Sequence, residues 1–169
     1  LCDFYEYTQQ SLVNNSISSF LQLKNYDYFR NRNYVLIDGG FGEIWRREFF
    51  NRVFYRGKKF LINKDISSII PFLEQRRADI FNEDINKLMR EGCSEQLENI
   101  FNELPDIKEF GVENWLDLFA IKTRLSNYFS NEQICVDGIT QSYMPFVQPA
   151  LMDNLFGMNL SKRKNGKLF

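Results

Sequence analysis

The residues best suited to chemistry lie in Tyr34-Val-Leu-Ile-Asp-Gly-Gly-Phe-Gly-Glu-Ile-Trp-Arg47, where an apolar run ends at a carboxylate and turns through three glycines. Val35, Leu36 and Ile37 form the short continuous apolar run expected of a buried parallel strand, with Asp38 at its carboxyl end. Gly39, Gly40 and Gly42 allow positive φ and let a ligand reach the backbone with no Cβ in the way. In an open α/β sheet that end of a strand is where ligands bind, and the amides opening the next helix favour anions such as phosphate. The same residues also suit a plain strand-to-helix connection that needs glycines only to turn.

Other chemistry is excluded by what the chain lacks. It has no histidine, so Ser-His and Cys-His catalysis cannot come from these residues. Its three cysteines, Cys2, Cys93 and Cys135, are too scattered for a zinc site, and an odd count without framework spacing suits a reducing cytoplasm with cysteines buried as small hydrophobes. Arg124 sits on a strongly apolar helix, where it either snorkels past the core or is held by a carboxylate or phosphate. The net charge of −1 argues against a dedicated nucleic-acid binder. Charge is nonetheless uneven: residues 30–64 carry nine Arg or Lys against three acids, and residues 74–117 twelve acids against five bases, which reads as a polarised surface of solvated faces. No stretch approaches the ~18 apolar residues of a membrane span, and no signal sequence is visible.

The elements that must position Asp38 and Arg124 follow from periodicity. With 44% hydrophobic and 16% aromatic residues in 169, the chain is globular and has a real core. Apolar spacing predicts a helix from Phe4 to Leu23, and residues 24–33 read as a polar, aromatic connector whose Tyr and Arg are of the types that stack a base but more simply anchor a loop. A helix over Glu43 to Tyr55 should stop at Gly57, and residues 58–63 are open between strand and loop. Asp65 or Ser67 caps a helix beginning near Ile69, with Pro71 in its first turn. A helix from Phe72 to Met89 closes at Gly92, and Ser94 caps a second that Pro105 ends, the two forming a helical hairpin. Val112 to Phe129 is a helix central to the core, 133–143 a loop turning at Asp137-Gly138, and Pro149 restarts a helix. The chain is thus mostly α, with six or more helices and one parallel strand at 34–37.

Four segments in this order resemble the carboxyl-terminal half of the asparagine synthetase type of ATP-pyrophosphatase domain. Tyr34 to Trp45 is similar to the family's strand and glycine-rich turn ending in Asp-Glu and an aromatic. Ile121-Lys-Thr-Arg-Leu-Ser-Asn127 is similar to its arginine-bearing helix, and Met144-Pro-Phe-Val-Gln-Pro-Ala-Leu-Met-Asp153 to its Val-Pro-Phe-Leu-Asp motif. Leu160-Ser-Lys-Arg-Lys-Asn-Gly-Lys-Leu-Phe169 resembles the segment in which an Asn-Gly-Lys lysine precedes a final helix. The resemblance implies one partial domain of the α/β, adenine nucleotide alpha hydrolase-like fold over 1–169, with a helical insertion at about 58–110, and a chain that is part of a longer protein.

The resemblance further implies a cytoplasmic ligase that binds ATP and magnesium, adenylates a carboxylic acid with release of pyrophosphate, and lets ammonia or glutamine-derived nitrogen attack. It assigns Asp38, Gly39, Gly40, Gly42 and Glu43 to the phosphate end of the site, with Asp38 toward the metal. Lys167 corresponds to the lysine on pyrophosphate, and Arg124 sets the site's geometry. The family's Ser-Gly-Gly-x-Asp-Ser loop does not occur in these residues; Gly39 and Gly42 stand at acidic positions of the turn, and Gln148 replaces the Asp of the Pro-Phe-Leu-Asp motif. Those differences support the alternative expectation, a non-catalytic binding or scaffold domain derived from the same family.

Overall fold

The computed structural model describes residues 17–45, 50–73, 81–163 and 167. The described chain is mostly helical, with one two-stranded parallel sheet, and falls into two compact units. One unit comprises Leu1–Trp45 with Thr123–Asn159, the other Arg46–Lys122 with Leu160–Phe169.

In the first unit, helix α1 (Ile17–Arg30) runs through most of the expected connector. Its end packs on itself: Phe29 meets Tyr28 edge-on at 5.8 Å, and the Arg32 guanidinium lies 3.6 Å over the Tyr28 ring. Strand β1 (Leu36–Ile37) pairs in parallel with β2 (Ser142–Tyr143), Leu36 opposite Ser142 and Ile37 opposite Tyr143. The parallel strand expected at 34–37 is therefore present, but the buried setting is corrected: Val35 is 53% and Ile37 71% exposed, because the strand is two residues long and borders only β2 among the described residues. The expected loop at 133–143 is corrected as well. Helix α8 (Ser130–Asp137) fills its first half and β2 its end, while the turn at Asp137-Gly138 is observed. Asp137 accepts from the Ser142 hydroxyl and from Gln133 Nε2 at 3.1 Å, tying α8 to β2. Helix α9 (Pro149–Gly157) starts at the expected proline, whose missing N–H costs nothing in a first turn.

The second unit is built of helices around one apolar cluster. After Phe50, whose φ of 57° no right-handed helix accommodates, a π-helical turn (Val53–Gly57) leads directly into α3 (Lys58–Ile62). The expected unbroken helix from Glu43 to Tyr55 is thus interrupted at Phe50, residues 46–49 lying outside the described residues. Gly57 does not stop the helix: it keeps helical dihedrals, and the Phe72 ring lies 3.4 Å from where its Cβ would stand. Asp65 caps α4 (Ile66–Leu73), accepting from the Ser68 amide at 3.2 Å and the Ser67 hydroxyl at 2.9 Å, so Pro71 falls past the first turn.

Helix α5 (Glu83–Glu103) replaces the expected hairpin with one continuous 21-residue helix. Asn82 caps it by accepting from the Ile85 amide at 2.9 Å, and acids Glu83 and Asp84 complement its dipole. Gly92 does not break it, and Ser94 bonds back to the Arg90 carbonyl instead of capping a new helix. Pro105 ends it as expected. Short α6 (Ile107–Phe110) joins α7 (Val112–Ala120) through Gly111, where φ is 84° and a side chain would be strained. Trp115, 1% exposed, stacks between Phe101 at 4.9 Å and Phe119 at 5.4 Å, and Val53, Leu61, Ile69, Leu97 and Ile107 close the same core. The core role expected of the 112–129 helix holds for α7, which passes into a nine-residue π segment at Ile121–Phe129. The cysteines do not share the expected burial, since Cys93 is exposed and Cys135 half-buried; Cys2 lies outside the described residues. Among the described residues no helix is long and apolar enough to cross a membrane.

Candidate functional site

The Asp38 turn is positioned by the sheet. The Leu36 amide donates to the Gln141 carbonyl and the Asp38 amide to the Tyr143 carbonyl, each at 2.9 Å, so Asp38 leaves the carboxyl end of β1 as the ladder ends. Asp38 Oδ1 accepts from the Gly40 amide at 2.8 Å and shapes the turn, and its second oxygen makes no hydrogen bond among the described residues.

The glycines play different parts from those expected. The left-handed residue in the turn is Phe41, with φ 71°, and none of Gly39, Gly40 or Gly42 takes positive φ. Phe41 is fully buried and meets Trp45 edge-on at 5.7 Å and Phe129 at 5.4 Å, which is what offsets the strain of a bulky side chain there. A Cβ at Gly40 would stand 3.3 Å from Asp38 Oδ1, Met144 Cε and Phe129 Cδ1, and one at Gly42 3.1 Å from the Phe146 ring. Those two glycines admit neighbouring side chains, and only Gly39 faces open space. The helix that follows, α2 (Gly42–Trp45), is four residues long and offers no extended N-terminus for an anion. Its Trp45 is fully buried and donates Nε1 to the Phe146 carbonyl at 2.9 Å. The turn is therefore locked onto Met144-Pro-Phe-Val147 by the Met144 methyl beside Gly40, the Phe146 ring beside Gly42 and an indole hydrogen bond.

Arg124 lies half-buried in the π segment, its guanidinium 5.0 Å over the Tyr128 ring and 5.5 Å over Phe129. Phe129 is also the ring against Phe41 and Gly40, so the structure links Arg124 to the turn through that side chain. The Gln148 amide folds back to the Met144 carbonyl at 3.2 Å, at the cap of α9. Lys167 belongs to the other unit, exposed in a turn.

One residue of the turn's surroundings was not singled out by sequence. Glu132, on α8, has its carboxyl pushed above the ordinary range by burial first, then by the charges of Asp38 and Glu43. Three acids thus share the local field at the end of the sheet. No spacing rule finds Glu132, because its partners are distant in sequence. Carboxylate oxygens are the donors magnesium takes, and that ion is commonly held by one or two of them with phosphate oxygens and water completing its shell. Among the described residues no three His, Cys, Asp or Glu side chains converge as a metal-holding group by themselves.

Arg163 also escapes sequence reading. Set in the basic run Lys162-Arg-Lys164, it forms the short helix α10 (Leu160–Arg163) and is 1% exposed, paired with the buried Asp117 of α7. The available signal was Asp117 itself, a carboxylate between Leu116 and Leu118 on an apolar helix. No family model, curated protein or solved structure matches the chain.

Proposed function

We propose that the chain is part of an asparagine synthetase-like, adenine nucleotide alpha hydrolase-like domain that forms an amide through ATP cleavage to AMP and pyrophosphate. The observation that supports this reading is the side-by-side parallel pairing of the strands that lead into two of the segments carrying the resemblance. Leu36–Ile37 and Ser142–Tyr143 are far apart in sequence, and each runs directly into its motif, Asp38-Gly-Gly-Phe-Gly-Glu43 and Met144-Pro-Phe-Val147. In this reading the open Asp38 oxygen meets magnesium carried on the ATP phosphates, Gly39 gives the phosphates their closest approach, and Glu43 and Glu132 deepen the field that draws the metal in. Gly40 and Gly42 support the turn from behind. Arg124 holds the π segment against Phe129 and so fixes the turn, and Lys167 neutralises charge on the departing pyrophosphate. The substrates are a carboxylic acid and ammonia or glutamine-derived nitrogen, and the site acts in the cytoplasm.

A second reading, a non-catalytic binding or scaffold domain of the same descent, is favoured by the filled sides of Gly40 and Gly42 and by Gln148 where the family has an acid. The test is pyrophosphate release by the protein with ATP, magnesium and a panel of carboxylic acids. Release that is lost in Lys167→Ala and kept in Lys87→Ala, an exposed residue of α5, supports the ligase. Absence of release with every acid leaves the scaffold.

A further inference from the structure

Apart from the Asp38 turn, the second unit carries an open cleft of about 440 Å³ lined by Tyr55, Arg56, Lys58, Lys59, Ile62 and Asn63. We propose that this cleft binds a nucleoside diphosphate or triphosphate without a metal ion. Three cations line it, and its described lining contains no acid. Arg56 and Lys59 enter no ion pair among the described residues, whereas Lys64, just beyond, is engaged by Asp106 at 3.8 Å. Among the described residues, therefore, no carboxylate neutralises Arg56 or Lys59. An arginine fork grips two phosphate oxygens at once, and lysines add mobile point charges around them.

The lining also has the means to take a planar base. Tyr55 is 72% exposed, and the Phe54 ring meets it edge-on at 5.1 Å. Lys58 Nζ lies 5.7 Å over that same Phe54 ring, on the far partner of the pair and not on Tyr55. A large exposed aromatic beside three cations is the pairing that stacks a base while its phosphates are neutralised. Ile62 adds an apolar contact and Asn63 an amide that both donates and accepts. The helical register brings these residues together: Tyr55, Lys59 and Asn63 follow at four-residue steps, and the π turn at Val53–Gly57 adds Arg56 to their face. The volume is within the range of small-molecule sites.

The experiment is calorimetric titration of the protein with ADP and, separately, with inorganic tripolyphosphate, in EDTA and at physiological salt. Chelation removes any magnesium-dependent contribution of the Asp38 turn, so failure here and failure of the ligase reading are separable. The expected result is ADP binding that Arg56→Gln with Lys59→Gln weakens at least about tenfold. Tyr55→Leu should weaken ADP and leave tripolyphosphate unchanged, and Lys87→Gln, at an exposed position of α5, should change neither. All four substituted positions are at least partly exposed, and circular dichroism checks that the variants fold. No ADP binding by the wild-type protein, or binding that the Arg56/Lys59 double variant leaves intact, overturns the proposal. Equal loss of both ligands in Tyr55→Leu overturns the assignment of a base to the tyrosine.

Discussion

The two units solve opposite problems with the same aromatic-rich composition. In the second, Phe101, Trp115 and Phe119 stack in parallel within a cluster that four further helical segments close, and the rings serve packing alone. In the first, Phe41 meets Trp45 and Phe129 edge-on around a single turn while the Phe146 carbonyl takes the Trp45 indole N–H, and their product is a fixed backbone at Asp38. Apolar bulk serves stability in the second unit's core, and positioning where carboxylates gather in the first.

The largest effect is expected in the second unit's core. Trp115→Ala should cost about 3–5 kcal/mol, read as a fall in the denaturation midpoint. Trp115→Phe should cost far less, under about 1.5 kcal/mol, since the indole N–H is buried with no hydrogen-bond partner and its removal offsets part of the lost contact. If the phenylalanine variant is as damaged as the alanine one, the indole is doing more than filling space.

The buried Asp117–Arg163 pair comes next. Asp117→Ala strands a guanidinium in the interior and should cost about 3 kcal/mol, while Asp117→Leu with Arg163→Met should recover most of that loss. A double-mutant cycle with no coupling would contradict the pairing.

Around the turn the glycines should separate. Gly42→Ala drives a methyl to 3.1 Å from the Phe146 ring and should cost about 1–3 kcal/mol, whereas Gly39→Ala, with open space around it, should stay within about 0.5 kcal/mol. Equal costs would mean the turn is not locked onto residues 144–147.

The smallest effect concerns pH. Glu132 has a raised carboxyl, so the folded state holds its proton more tightly than the unfolded chain. Its contribution is fully present below the ordinary value of 4.5 and is lost as pH rises through the raised one. Glu132→Gln should therefore stabilise the protein at neutral pH by about 0.5 kcal/mol once solvent screening is allowed for, and should flatten the stability profile above pH 4.5. A loss of stability at neutral pH would show Glu132 to be held by a favourable partner.

What could be read in the sequence was whatever short-range rules decide. The parallel strand before Asp38, the start of α9 at Pro149, the stop before Pro105 and the apolar face of α7 all follow from neighbours in the chain. The misreadings have long-range causes. Gly92 and Ser94 look like punctuation, yet a serine can bond back within a helix and a glycine is tolerated where the rest of α5 continues. Phe41 takes a conformation usually left to glycine because Trp45 and the distant Phe129 enclose it. At the candidate site, Asp38 and its turn were legible as strand, carboxylate and glycines. Glu132 was not, because burial in the folded chain shifts it first, and the charges that add to it belong to Asp38 and Glu43, far off in sequence.

The account rests on the open oxygen of Asp38, and one substitution isolates it. Asp38→Asn retains an oxygen to accept the Gly40 amide, so the turn and the melting temperature should be kept while the negative charge is lost. The rate of ATP- and magnesium-dependent pyrophosphate release, measured side by side, should fall about a hundredfold or more in the variant. An unchanged rate in a folded Asp38→Asn protein would contradict the account.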